Sequence, residues 1–259
     1  MYNFRYLDSF YNVDIILKHP DFTQTHYHSR EYVEARSEKE SGRYIFRLEG
    51  QRNILLNREP PQEVMDKLMI ELGNAVYPLS LVVSQEGEIL TVKNFLSVKE
   101  QWERKTEAIL KEQYTQPLEQ YIRIASRNLK QETALRKSLV KKTFIRLFFL
   151  PFNTEMFTLK FENFPLRGDL VVFRCEPEQA PTNENTRRYS ASLLFPATYQ
   201  GEGHIRYVHS EAGDLLTTEG QFTITDPDGN TSEKQIFIQT NEEDRHVSGK
   251  KNFRSTLLE

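Results

Sequence analysis

Apolar and polar residues alternate in places within residues 1–59, and again after residue 151. Tyr44, Phe46 and Leu48 show this alternation in the first part, and Phe157 shows its return in the second. Because successive side chains of a strand point to opposite faces, this period predicts strands with one buried face. Both parts of the chain are therefore predicted to be rich in β-structure.

The central residues 97–151 follow a helical spacing instead. Leu118, Ile122 and Leu129 are separated by four and seven residues, which places them on one face of a helix. Pro117 has no amide hydrogen, so we expect a helix to break or a new helix to begin there. The pattern fits two antiparallel helices or one long helix kinked near Pro117.

The junction between these two patterns carries its own signals. Residues 78–92 contain two apolar runs around a polar turn, which is typical of a β-hairpin. The helical segment then begins at Asn94 or at Ser97. Ser97 and Glu100 fit a capping box, in which hydroxyl and carboxylate each bind a free amide of the first turn. We therefore expect a hairpin that leads directly into a helix.

These patterns together predict an α+β fold. A curved antiparallel sheet, made of N-terminal strands and a C-terminal β meander, is expected to pack on a central long helical hairpin, because an amphipathic helix must bury its apolar face. The predicted parts are residues 1–96 (strands, short helix and hairpin), 97–151 (central helices), 152–240 (meander) and 241–259 (a flexible tail). They form one domain or two intimately packed domains.

Composition narrows the class of protein. The 259 residues carry a net charge of −3, which gives no general attraction to nucleic acid, so no nucleic-acid partner is predicted. Cys175 is the single cysteine, which excludes a disulfide within the chain. The first four residues do not resemble a signal peptide, so a cytoplasmic location is expected. No apolar run approaches the roughly 20 residues of a transmembrane segment, and none is predicted.

Charge is uneven in the helical segment. No acidic residue occurs between Thr133 and Thr154, and an aromatic run follows the basic residues. A basic face beside aromatic side chains can bind an anionic partner or a membrane surface. The alternative is a solvated helix face with a buried last turn, since cations are favoured near a helix C-terminus. The candidate partner-binding residues here are Arg136, Lys137, Lys141, Lys142 and Arg146.

Two aromatic residues are further candidates for partner binding. Trp102 lies in the first predicted helix and is either a contact anchor or part of the core. Phe253 lies in the polar tail, where it could dock on a partner.

No constellation in the sequence predicts catalysis, and we expect no cofactor. His26 and His28 lie two residues apart, so on a strand they would share one face, but no third metal ligand accompanies them and no metal site is predicted. Asp226 begins a calcium-like spacing that lacks its final glutamate, which favours a hairpin turn. Cys175 lies in an apolar run, where a thiol is usually inert.

Three functional hypotheses follow. The first is a non-enzymatic protein-interaction module, such as an adaptor, a chaperone, an immunity-type binder or a component of a larger bacterial assembly. Its partner would be another protein, and self-association into a homo-oligomer is left open. The second is a carrier of an apolar ligand or lipid held between sheet and helices, suggested by 17 Phe and 12 Tyr. The third is a hydrolase or transferase without a readable motif. The predicted layout is similar in outline to the LolA-like lipoprotein-carrier fold, and this resemblance implies no site residues.

Overall fold

The structure is a computed structural model that describes residues 6–21, 23–38, 42–149, 156–166, 168–178, 185–211 and 213–240. Within these residues the chain forms twelve strands, five α-helices and one 3-10 turn. The strands are β1 (Tyr6–Lys18), β2 (Gln24–Glu38), β3 (Arg43–Leu48), β4 (Arg52–Leu56), β5 (Leu79–Val83), β6 (Ile89–Val92), β7 (Phe157–Glu162), β8 (Leu170–Pro177), β9 (Thr186–Phe195), β10 (Gln200–His209), β11 (Leu215–Thr225) and β12 (Thr231–Thr240). The helices are α1 (Val64–Asn74), α2 (Phe95–Glu112), α3 (Gln116–Ser126), α4 (Glu132–Leu139) and α5 (Thr143–Phe148), and the 3-10 turn is Arg127–Leu129.

All twelve strands belong to one open antiparallel sheet. Their order is β6-β5-β3-β2-β1-β12-β11-β10-β9-β8-β7, and β4 pairs with the first part of β2. The two halves of the sequence meet where β1 pairs with β12, with Tyr11 opposite Thr240. The predicted α+β class with an antiparallel sheet is confirmed, and β6 and β7 are the edge strands at the two ends of this order.

The C-terminal half of the sheet is strongly curved. Phe161 of β7 and Phe222 of β11 have ring centroids 4.7 Å apart, although three strands lie between them in the sheet. Neighbouring strands are about 4.8 Å apart, so a flat sheet would separate these positions by about 19 Å. The sheet must therefore curl so that its inner faces meet, and the alternating apolar residues of β7, β8 and β11 fill the space inside.

Helix α5 packs against the buried face of β1 and β3 in the N-terminal half of the sheet. Phe148 packs edge-on against Tyr11 of β1 at 5.1 Å, and Phe149 packs against Phe46 of β3 at 4.7 Å. A helix enclosed on most sides has no need for a polar face, which explains why Phe144 and Leu147 are buried as well. The aromatic run noted in the sequence is therefore the centre of the core.

The long helical hairpin is not present. The helical segment is divided into α2, α3, the 3-10 turn, α4 and α5. The break predicted near Pro117 is confirmed, because the Thr115 hydroxyl caps α3 by accepting from the amide of Leu118, and Pro117 occupies the first turn. Further breaks after Ser126 and Leu139 let the chain follow the curved sheet, which one straight helix could not do.

The predicted capping box is wrong. Helix α2 begins at Phe95, so Ser97 and Glu100 lie inside its first turns. The residue before it, Asn94, uses its side chain elsewhere: its Oδ1 accepts from the amide of Ser80, and its Nδ2 donates to the carbonyl of Pro78. This side chain ties the helix start to β5 instead of capping the helix.

In the described ranges, none of the helices has the length and apolar character needed to cross a bilayer. The division into residues 1–96, 97–151, 152–240 and 241–259 stays a prediction, although β1 and β12 bring the first and third of these parts into one sheet.

Candidate functional site

A cleft lies where the two edges of the sheet approach the helical segment. It is open to solvent and has a volume of about 500 Å³, and its wall includes Ile89 of β6 and Phe157 of β7. Helices α4 and α5 and the residues that end them complete the apolar lining with Val140, Ile145 and Phe149. We call this space the edge cleft. The sheet is open, and this cleft lies between its two end strands, β6 and β7.

Helix α4 covers the β6 edge. The Arg136 guanidinium donates to the carbonyls of Ile89 (3.3 Å) and Leu90, and a Glu132 carboxylate oxygen accepts from the amide of Val92 at 2.9 Å. An edge strand otherwise presents unpaired backbone groups that invite pairing with another chain. These two side chains satisfy both kinds of group, so α4 is fixed to β6 by its own charged residues.

Helix α5 is fixed to the β7 edge in the same way. Arg146 donates to the carbonyl of Thr158 at 2.7 Å, and Lys141, just before α5, forms an exposed ion pair with Glu162 at 2.7 Å. Arg146 is half-buried, and loss of solvent lowers the pKa of its guanidinium. Its hydrogen-bond acceptor is a neutral carbonyl, so the positive charge of Arg146 is not neutralised there.

Lys142 points into the interior of the N-terminal half. Its Nζ lies 3.3 Å from the Tyr77 hydroxyl and 4.8 Å from the centroid of that ring. Burial lowers the pKa of Lys142, and the nearby Glu31 carboxylate opposes this. Glu31 is itself buried, which raises its pKa, and it accepts a 2.8 Å hydrogen bond from Gln51. Lys142 therefore belongs to a buried polar cluster beneath α5.

The five basic candidates do not form one surface. Arg136, Lys137 and Arg146 line the edge cleft. Lys141 lies beside Glu162, and Lys142 is turned inward. Lys137 is exposed and has no side-chain hydrogen bond or ion pair with the described part of the chain. Their binding role stays a prediction, and three of the five lie together at the edge cleft.

The structure describes one of the two aromatic candidates for partner binding, Trp102. Trp102 is 5% exposed, and its Nε1 donates to the Ser126 hydroxyl at 2.9 Å, so it joins α2 to α3 within the core. A contact role for Trp102 would require its exposure, and the alternative of a core position describes it better. Phe253 lies outside the described residues.

The histidine pair lies on the face of β2 opposite the buried one. His26 Nε2 and His28 Nδ1 lie 2.7 Å and 3.0 Å from the same carboxylate oxygen of Asp14, a residue of β1 that lies opposite His28 in the β1–β2 pair. Among the residues that the structure covers, no group of three or more His, Cys, Asp or Glu side chains is arranged to hold a metal ion. Both imidazoles therefore interact with the Asp14 carboxylate, so this pair has a structural partner without a metal ion.

Cys175 is fully buried in β8, and burial raises the pKa of its thiol to about 12. A protonated, enclosed thiol is a poor nucleophile, which agrees with the inert role expected from its apolar neighbours. Asp226 accepts from the amides of Asp228 and Asn230 and so shapes the β11–β12 turn, as predicted.

The charges at the edge cleft are divided between its two walls. Three cations lie on the helical wall, whereas Glu86 and Glu88 lie on the turn between β5 and β6 and are exposed. In the described chain, no carboxylate lies within ion-pair distance of Arg136, Lys137 or Arg146. Sequence reasoning found these cations but missed the apolar wall, because Ile89 and Phe157 come together only when their strands become edges.

No protein-family model and no curated protein matches this chain. Among solved structures, one described as lipid–protein interactions in lipovitellin is similar at 10% identity and a TM-score of 0.44. The similarity covers 93% of this chain and 25% of the lipovitellin chain. At this identity and TM-score the similarity supports no conclusion about function.

Proposed function

We propose that this protein binds a small amphipathic ligand in the edge cleft, with the apolar part against Ile89, Phe149 and Phe157 and an anionic end near the cations of α4 and α5. This is the carrier hypothesis, with the ligand at the edges of the sheet. The interaction-module hypothesis, its protein partner and the cytoplasmic location stay predictions.

The observation that supports the proposal is the composition of the edge cleft. Its volume of about 500 Å³ falls within the usual range of ligand sites, about 300–1,000 Å³. Such sites combine a mainly apolar lining with a few polar groups that orient the ligand. Here the apolar side chains come from both sheet edges and from the helical segment. The charged side chains are three cations on the helical wall and Glu86 and Glu88 on the facing wall, and no ion pair in the described residues joins the two groups.

The concave side of the sheet is a poorer candidate for this ligand. Tyr11, Phe46 and Phe148 are packed ring against ring in the N-terminal half, and Phe161, Phe173 and Phe222 do the same in the C-terminal half. A ligand placed there would have to displace α5 or these aromatic side chains. The edge cleft needs no such rearrangement.

A direct binding measurement tests the proposal. The purified chain, stripped of lipid by reverse-phase treatment and refolded, is titrated with oleate and followed by native mass spectrometry. We expect a one-to-one complex. Val140→Trp should fill the edge cleft and abolish the complex, whereas Leu96→Trp, at an exposed position of α2 outside the cleft, should not. Equal binding by both variants, or no complex with the native chain, would contradict the proposal.

A further inference from the structure

The cations of the edge cleft differ in how free they are to bind a ligand. Arg136 already spans two carbonyls of β6, and Lys137 is exposed, so its ammonium is well hydrated. Arg146 is half-buried and, within the residues that the structure describes, makes one hydrogen bond, to the Thr158 carbonyl. A guanidinium has five N–H donors in a fixed plane, so most of those on Arg146 remain for a ligand.

The surroundings of Arg146 favour a charged acceptor. It lies on α5 between Ile145 and Phe149, which both line the edge cleft, and its own contact is with a neutral group. A partly desolvated cation beside apolar side chains gains more from an anion than a hydrated one does. The fork of a guanidinium also matches the two oxygens of a carboxylate.

The charge on the facing wall limits how negative the ligand can be. Glu86 and Glu88 line the edge cleft with the three cations, so the local formal charge is close to one positive charge. A ligand with one negative charge balances this site. A phosphate monoester carries nearly two negative charges at neutral pH and would leave one of them unbalanced beside two glutamates.

We infer that the ligand of the edge cleft is a single-chain amphiphile that ends in a carboxylate, and that Arg146 is the residue that selects this head group. This inference rests on the proposed function, since it requires that the edge cleft takes an apolar chain. It adds a head-group class and a named residue that the proposed function does not require.

The test compares three probes that share one chain: oleate, oleyl alcohol and oleyl phosphate. Binding is measured at pH 7.5 by displacement of a fluorescent fatty alcohol probe. We expect the native chain to bind oleate at least about 10-fold more tightly than either of the others, as expected for a partly desolvated charge-assisted hydrogen bond. Oleyl alcohol that binds as well as oleate, or oleyl phosphate that binds better, would overturn the inference.

Variants of Arg146 separate selection from folding. Arg146→Gln should lose the preference for oleate and keep the affinity for oleyl alcohol, and that retained affinity shows that the edge cleft is intact. Arg146→Lys should restore part of the preference. Lys160→Gln is the control, because Lys160 is exposed on β7 and does not line the cleft, so this variant should leave all three affinities unchanged.

The outcomes also distinguish this inference from the proposed function. If no probe binds the native chain, the proposed function fails and the inference fails with it. If all three probes bind equally and Val140→Trp abolishes binding, the proposed function stands and head-group selection by Arg146 is wrong. If Arg146→Gln binds oleate as tightly as the native chain does, Arg146 does not select the head group.

Discussion

The ammonium of Lys234 lies 4.5 Å from the centroid of the Phe161 ring, although β12 and β7 are five positions apart in the sheet. Lys234 is 7% exposed, and no carboxylate in the described ranges lies within ion-pair distance of it. Phe164 provides a second ring at 5.7 Å. The buried ammonium is therefore stabilised by cation–π contacts inside the curled part of the sheet. These contacts compensate only partly for the hydration that the charge loses on burial.

Lys234 should make the stability of the protein depend on pH. Burial lowers the pKa of Lys234 from 10.5 to about 8, a difference worth at most about 3 kcal/mol. Between these values the unfolded chain holds the proton and the folded chain does not. The contribution of this group to the free energy of unfolding therefore rises from pH 8 to 10.5 and is smallest below pH 8.

Lys234→Met checks this relation by urea unfolding at several pH values. The variant should be more stable than the native chain at pH 7, and the gain should shrink as the pH rises above 8. The exposed Lys160→Met, on β7, is the control and should show no such trend. A Lys234→Met variant that is less stable at pH 7 would mean that contacts of the cation with Phe161 and Phe164 outweigh its burial.

Helix α5 should be essential to the core. Phe148→Ala removes a ring that contacts Tyr11, Phe46 and Phe149, and truncation of a buried Phe costs about 3–5 kcal/mol. Phe237→Ala, at a partly exposed position of β12, should cost less than about 1 kcal/mol. Chemical denaturation of both variants gives the comparison, and equal losses would show that α5 does not anchor the sheet.

The charged contacts of α4 should protect the β6 edge. Arg136→Met removes the donor to the Ile89 and Leu90 carbonyls and should cost about 1–3 kcal/mol. It should also increase self-association, because the edge is uncovered. Lys137→Met is the control, because Lys137 is exposed and has no hydrogen bond or ion pair with the side chains and backbone that the structure describes. Analytical ultracentrifugation measures the self-association of the two variants, and denaturant unfolding measures their stability. If the two variants have the same self-association and the same stability, Arg136 does not protect the β6 edge.

Gly203 should be required where β10 pairs with β11, because it lies opposite Phe222. A Cβ at this position would lie 2.5 Å from the Gln221 carbonyl oxygen and 2.6 Å from the Phe222 ring. Gly203→Ala should therefore destabilise the protein by about 1–3 kcal/mol. Gly73→Ala, in helix α1 with open space around it, should stabilise by up to about 1 kcal/mol. Melting temperatures that move in the same direction would contradict this contrast.

Local pattern was enough to predict much of the fold. The alternation of Tyr44, Phe46 and Leu48 marks β3, and the hairpin of residues 78–92 became β5 and β6 because both signals depend on near neighbours. The helical spacing identified the buried face of α3, and Pro117 indicated the break before it. What these signals share is that they act over a few residues.

The pairing of strands that are far apart in the sequence could not be predicted from these local patterns. Nothing local to Tyr11 or Thr240 indicates that their strands pair, yet that pairing makes β6 and β7 the edges and so creates the edge cleft. The basic residues of α4 and α5 are visible in the sequence as a charged surface. Their hydrogen-bond acceptors, the backbone carbonyls of Ile89 and Thr158, cannot be predicted from the sequence, because these carbonyls are unpaired only when their strands lie at the sheet edges. Lys234 gave no signal, since a lysine in a strand is usually solvated.

The central claim is that the gap between β6 and β7 holds the ligand, and the most direct measurement of it is photo-crosslinking with a diazirine-labelled fatty acid followed by peptide mapping. Adducts are predicted on peptides that contain residues 86–89, 136–149 or 157, and excess oleate should suppress them. Labelling spread over the exposed surface, or concentrated on strands β1 and β12 without any on α4 or α5, would contradict the account.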